Sequence, residues 1–513
     1  SIAWLTTALF VTQPLLFGYA FVNQKDTPFM AAFVIILAAG LAVGDRLAAR
    51  QPATASTHAF RQGLSAEWRA LRPGARAALL GYLALAVLAL LDQAVFRWSL
   101  GWVGSWMVGA YEGRAGPVVS WLFSGAAAHP AGIPVEAYLS KLEVNLRLAA
   151  VPVLLGMIGG AVLLLRAEFP LSLRRWTARN AVWVLPAIVG AFVGFAVSIR
   201  PIGAFAGALV SLFWILRLKR CSLTPLLASW AAAATTAYLT WPYLWANPLR
   251  NFWASLQLTG TFPAHDMLYR GVTISSDALP WHFFPTLAGI QLTEPVFPLV
   301  VLGVGALLWR LRKRSLPWRE ALVIGLWFLV PMFGLLFMGF GIYGNIRQLL
   351  FVLPPLFLLA GLGLQVVLQA LPWVWARRAL AALVILPGVV GIVRMHPYEH
   401  AYFNLYAGGV DGAWGQYQPS HWCTSLREAG EYVNAAAAPG AVVLVDGPVE
   451  GVRAFARPDL VVEGVWTGLA DPAFIVTCTR TPDEMQAIAG MHKVYEVRRG
   501  AAVYAEIFQS NAQ

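Results

Sequence analysis

The strongest constraint on this chain is its succession of long apolar runs, several as long as the roughly 18–20 residues that cross a bilayer. Of its 513 residues 58% are hydrophobic and only 12% are charged. A soluble domain carries about 25% charged residues. Half that charge cannot cover a water-soluble particle of this size, so a soluble globular enzyme, a disordered chain and a disulfide scaffold are excluded. Three cysteines exclude a cysteine-rich metal module.

The apolar segments fall at about 1–22, 27–44, 77–96, 146–165, 181–199, 202–216, 223–245, 295–309, 320–341 and 349–394, the last long enough for two spans broken near Pro372 to Arg378. Arg200-Pro201 separates two short segments, and a proline there favours a break. These segments predict an all-α polytopic membrane bundle of about 10–11 spans. One set of connections (45–76, 166–179, 217–222, 310–319, 377–378) holds 20 Lys and Arg; the alternate set (23–26, 97–147, 200, 246–293, 347) holds 9. The dense set is cytoplasmic by the positive-inside rule. The +12 surplus is thereby explained by topology and does not argue for nucleic acid. Localisation follows as a multi-pass inner (plasma) membrane protein. The chain begins with Ser1 inside an apolar stretch, and reads as a fragment starting partway through a membrane helix.

Composition changes near residue 395. Ser425-Leu-Arg-Glu428 and Thr481-Pro-Asp-Glu484 have the capping-box pattern that opens helices. Runs rich in Val, Ile and Tyr at 441–446, 459–463, 473–478, 493–497 and 502–508 read as strands. The expected organisation is a transmembrane domain, 1–394, with outer loops 98–143 and 246–293, then a small C-terminal α/β domain, 395–513, outside the cytoplasm. Cys423 and Cys478 both fall in it, as a disulfide or as two thiols.

Polar groups at the outer face are the candidates for chemistry. Asp26 opens a span: a helix cap in the plain reading, or an acidic group that orients an acceptor or binds a divalent cation. Arg347 precedes a long apolar helix, where a guanidinium either snorkels or holds the phosphate of a lipid carrier. Arg200 has the same two readings, with snorkelling the plainer. Lys25 is a third cation. In the 246–293 loop His265-Asp266 is a base or ligand pair, although adjacent side chains diverge. The His396/His400 spacing suits metal only on a regular helix, which Pro397 opposes. The stretch 98–143 is rich in Trp and Gly, with Trp102, Trp106 and Trp121, which suggests an amphipathic collar along the interface.

Four stretches carry a resemblance. They are Pro14 to Phe29, Ser198-Ile-Arg-Pro-Ile-Gly203, Pro280-Trp-His-Phe-Phe-Pro285 running into Thr293-Glu-Pro295, and Arg347 to Gly361. The segment Pro397 to Asn404, with Ala407-Gly-Gly409 and Gly412-Ala-Trp-Gly415, adds to them. In this order they resemble the GT-C superfamily of integral membrane glycosyltransferases, specifically family 39, around the protein O-mannosyltransferases and the lipid A aminoarabinose transferase. The chain departs from that family by lacking its first outer loop with a catalytic Asp, as an N-terminally truncated member would. The resemblance implies an inverting transfer of a sugar from a polyprenyl-phosphate donor to a lipid, glycan or protein acceptor at the outer face. It implies Asp26 as the second-loop carboxylate, with Arg347 at the donor phosphate and Arg200 and Lys25 behind it; His265 and Asp266 complete the candidate set. A divalent metal ion at Asp26 is the one cofactor considered. The alternative function is a polytopic lipid or solute transporter or flippase.

Overall fold

The computed structural model describes residues 1–49, 93–127, 134–136, 138–142, 181–218, 223–260, 264–337, 342, 344–419, 422–478 and 488–511. Five described helices are long and apolar enough to cross a membrane, or up to seven if each of two bent pairs is one span. The expected segments 146–165, most of 77–96, and the helix after Thr481 lie outside the described residues.

The chain forms two compact units. The first comprises Ser1–Asp45, Ala187–Thr240 and Phe252–Gln513 and holds both the first and last helices and the C-terminal sheet. The second, Arg46–Pro186 with Trp241–Asn251, contains the helices Gln93–Tyr111, Pro117–Leu122 and Ser124–Ala127. Trp102, Trp106 and Trp121 are exposed on these helices, with the Trp102 and Trp106 rings 4.7 Å apart.

Where the hydropathy of 1–22 predicts one span, the structure has two helices, Ile2–Val11 and Pro14–Val22, bent by 58°. Pro14 supplies no amide at the junction. The Gln13 side chain, fully buried, fills the break: its Nε2 donates to Leu9 O (2.8 Å) and Thr293 Oγ1 (2.9 Å), and its Oε1 accepts from the Thr293 amide (2.8 Å). Such side-chain satisfaction is what allows a broken helix among apolar surroundings. A second bend, of 119°, separates Phe283–Gln291 from Val296–Arg312. The expected breaks at Arg200-Pro201 and near Pro372 are present: Ala181–Ile199 gives way to a 3-10 turn at Pro201–Gly203, and Leu353–Ala370 is followed by Val374–Met395.

Small residues set how closely these helices pack. A Cβ on Gly190 or Gly194 would lie 1.9 Å from Ser229 O or 2.2 Å from Ala233 O of the Leu223–Thr240 helix. The two glycines stand four apart, the spacing that lets backbones approach where apolar burial gives no drive between helices.

The region 246–293 is not a plain loop. It folds as the helix Pro248–Gly260, a hairpin of β1 (Asp266–Tyr269) and β2 (Val272–Ser275), and the helix Phe283–Gln291. At the C-terminal end β3 (Val442–Asp446), β4 (Val461–Gly464), β5 (Phe474–Cys478), β6 (Met491–Arg499) and β7 (Ala502–Ser510) form one sheet, ordered β4-β3-β5-β7-β6. β3 runs parallel to β4 and β5; β7 is antiparallel to β5 and β6. The Leu426–Ala436 helix buries Leu426, Ala429 and Val433 in the core shared with Val443, Val476 and Ile507. The helix opens where the capping box places it, but Ser425 does not cap it: its hydroxyl donates to Tyr504 O (2.8 Å) in β7. Cys423 and Cys478 are joined as a disulfide, with Cα atoms 5.6 Å apart, which resolves the alternative left by the sequence.

Candidate functional site: a cationic cluster around Asp26

The Pro14–Val22 helix ends at Asn23, and the Asp26–Ala49 helix begins three residues later. Asp26 is at the helix start but is not its cap. Asn23 Oδ1 accepts from the amides of Lys25 (3.1 Å) and Asp26 (2.8 Å), and Asn23 Nδ2 donates to Asp26 Oδ2 (2.7 Å). Asn23 therefore does the work that sequence reading gives to the carboxylate, and releases Asp26 for a distant partner. That partner is Arg200, which donates from its guanidinium to Asp26 Oδ1. Arg200 is held in extended backbone (φ −147°, ψ 130°) at the helix break. The following proline disfavours the helical conformation there. The snorkelling role given to Arg200 by its sequence position is thus replaced by an ion pair with a carboxylate that is only 5% exposed.

Arg347 opens a 3-10 turn, Arg347–Val352, that leads into Leu353–Ala370. It too is 5% exposed, buried rather than reaching toward headgroups. Gly344 and Asn345 precede it with positive φ of 70° and 58°. A Cβ on Gly344 would come within 2.9 Å of Arg347 Nε. Asn345 Nδ2 donates to Gln418 O (2.7 Å), and Trp422 lies on the guanidinium, 4.8 Å from ring centroid to Cζ.

Lys25, Arg200 and Arg347 are far apart in sequence yet act on one another electrostatically. Burial lowers the Lys25 pKa below the usual lysine range, and the positive charges of Arg200 and Arg347 lower it further. Asp26 forms an ion pair with Arg200, and Lys25 feels the positive charge of both Arg200 and Arg347. Positive charge gathered in this way attracts anions, and a guanidinium has the donor geometry to meet phosphate oxygens.

His265 and Asp266 lie at the start of β1, and both are exposed. The His265 backbone is tied to Ser276, donating to its hydroxyl and accepting from its amide, both at 2.9 Å. In the same region Tyr269 OH and His282 Nδ1 lie 2.7 Å apart. The His396/His400 pair is separated: His396 is exposed and bonded to Glu399 (2.7 Å), whereas His400 is 1% exposed and its pKa is pushed down to about 4 by burial. Among the described residues no three His, Cys, Asp or Glu side chains group as a metal cage. Both carboxylate oxygens of Asp26 are already occupied, by Asn23 and Arg200.

Asn23 and Trp422 are the participants that sequence reading missed. Asn23 has a local signal, its three-residue spacing to Asp26, while Trp422 has none, because its neighbour is Arg347. No family model, no curated protein and no solved structure matches the chain.

Proposed function

We propose that the chain is a polytopic inner-membrane glycosyltransferase of GT-C type, with about 10–11 spans, that moves a sugar from a polyprenyl-phosphate donor to an acceptor at the outer face. The observation that carries this reading is that Arg200, paired with buried Asp26, and the buried Arg347 both act on Lys25 from helix breaks far apart in sequence. In the transfer an acceptor hydroxyl oxygen bonds to the anomeric carbon as the bond from that carbon to the phosphate oxygen breaks, and the hydroxyl proton passes to solvent or to the released phosphate. The phosphate leaves with its negative charge increased, and fixed guanidinium donors stabilise it. Asp26 orients Arg200 through their ion pair and is a poorer choice for the base, because that contact engages its carboxylate. The disulfide supports an extracytoplasmic C-terminal domain, since such bonds persist in oxidising compartments.

The bent helix pairs favour one competing reading, a lipid transporter, because interrupted helices are a common way to build a transport site. A single assay separates the two. Release of sugar from a radiolabelled polyprenyl-phosphate sugar is measured with the purified protein and a hydroxyl acceptor. Turnover is expected to fall at least a hundredfold in Arg347→Ala, about the loss from removing one transition-state donor. Arg347→Lys should keep a fraction, having lost the bidentate fork. Wild-type rates in Arg347→Ala would remove the arginine from the reaction. Movement of the lipid across vesicles without sugar release would replace transfer by transport.

A further inference from the structure

The guanidinium of Arg347 has a flat face and an edge of N–H donors. Trp422 occupies the face, at 4.8 Å from ring centroid to Cζ, a contact that uses no N–H group. Trp422 itself is 38% exposed, whereas Arg347 beneath it is 5% exposed. The indole is therefore the layer between the buried cation and the outside.

Trp422 is also anchored. The next residue, Cys423, has a positive φ of 50° and is 6% exposed. Its disulfide ties it to Cys478 at the end of β5. β5 is an inner strand of the sheet, paired on both sides by β3 and β7. On the other side of Trp422, Gln418 O accepts from the Asn345 side chain, two residues before Arg347 (2.7 Å), and the Gln418 amide donates to Leu268 O of β1 (3.2 Å). The strand-like Gln416–Gln418 stretch is thus bonded both to the turn that carries Arg347 and to the hairpin, where Gly271 donates to Gln416 O (3.0 Å). A covalent bond on one side and hydrogen bonds on the other hold the indole over the arginine.

We infer that Trp422 is the positioning residue of the anion site, and that the Cys423–Cys478 bond keeps it in place. This rests on the proposed phosphate role of Arg347. A long arginine side chain loses rotamer freedom when it grips a phosphate. Stacking removes that freedom beforehand and fixes the plane in which two N–H donors meet two phosphate oxygens. Gly344 belongs to the same device, since any Cβ there would press on Nε.

The test measures binding of farnesyl phosphate, a short polyprenyl phosphate, to the full chain in detergent, with inorganic phosphate as competitor. Kd should rise about tenfold in Trp422→Leu, the scale of a desolvated cation–π contact, and stay within about threefold of wild type in Trp422→Phe. Cys423→Ser/Cys478→Ser, or reduction of the wild type, should reproduce the Leu variant. In turnover Trp422→Leu and the disulfide variant should lower kcat/KM for the donor while Trp422→Phe stays close to wild type, a rescue that a general loss of folded protein would not give. Arg347→Ala binding as tightly as wild type would overturn the phosphate role itself. Loss of binding in Arg347→Ala with wild-type Kd in Trp422→Leu would leave that role standing and overturn this inference. So would a Phe variant as weak as the Leu variant. Competition by inorganic phosphate at concentrations similar to those of the lipid would point to a free phosphate rather than a lipid headgroup as the natural occupant.

Discussion

The helical region and the C-terminal sheet present different surfaces. On the helices Phe21, Phe337 and Val393 are more than 70% exposed, while Asp26 and Arg347 are buried. In the sheet region the pairs Arg427–Glu431, Arg453–Glu450 and Arg457–Asp459 lie at the surface, and Val443, Val476 and Ile507 are fully buried. Each region exposes a different surface: apolar side chains on helices long and apolar enough to cross a membrane, and charged pairs on the sheet. The same salt bridge therefore means different things in the two. An exposed pair is a minor surface feature, whereas a buried pair has been retained despite its desolvation cost.

The comparison can be broken at four points. The largest effect is expected from the disulfide. Closing a loop across a sequence separation of 55 residues is worth about 4 kcal/mol in the chain-entropy account. Cys423→Ser/Cys478→Ser should lower the opening free energy of the sheet by about that amount. Hydrogen exchange in β3, β5 and β7 should rise accordingly while the helices stay protected; uniform loss in both regions would deny their separate stabilities. Next is Arg200→Ala, which strands the buried Asp26 charge and should cost about 3 kcal/mol. Arg200→Ala with Asp26→Asn should recover part of it, and no recovery would show that the pair is not the source of the loss.

The third point is His400, buried beside Tyr19 with ring centroids 6.0 Å apart. Its folded pKa of about 4 lies below the unfolded value of 6.5. Between these values the unfolded chain binds the extra proton. Stability is then full above pH 6.5 and falls as pH drops toward 4, by up to about 3 kcal/mol. His400→Asn should flatten that part of the pH–stability curve, and an unchanged slope would place the titration elsewhere. The smallest effect is expected for Arg427→Ala, which breaks an exposed i,i+4 pair in the sheet region and should cost no more than about 0.5 kcal/mol. A cost approaching that of Arg200→Ala would erase the contrast between the two surfaces.

What the sequence determined by itself was local. Apolar length and composition marked the helices at 181–199 and 353–370, because hydropathy is a property of consecutive residues. Runs rich in Val, Ile and Tyr marked β3, β5 and β7 within a few residues, because such enrichment is also a property of consecutive residues. Pro201 and Pro372 marked breaks because a missing amide acts where it stands. The bend at Gln13 was less legible, since a polar side chain can satisfy a broken helix only if Thr293 arrives beside it. Lys25, Arg200 and Arg347 could each be suspected singly from their places at the ends of apolar runs. That Arg200 pairs with Asp26, that all three cations share one region, and that Trp422 covers Arg347 were decided only when the helices packed. Those relations join residues up to hundreds of positions apart, and packing geometry, governed by contacts such as Gly190 on Ser229, sets which of them meet.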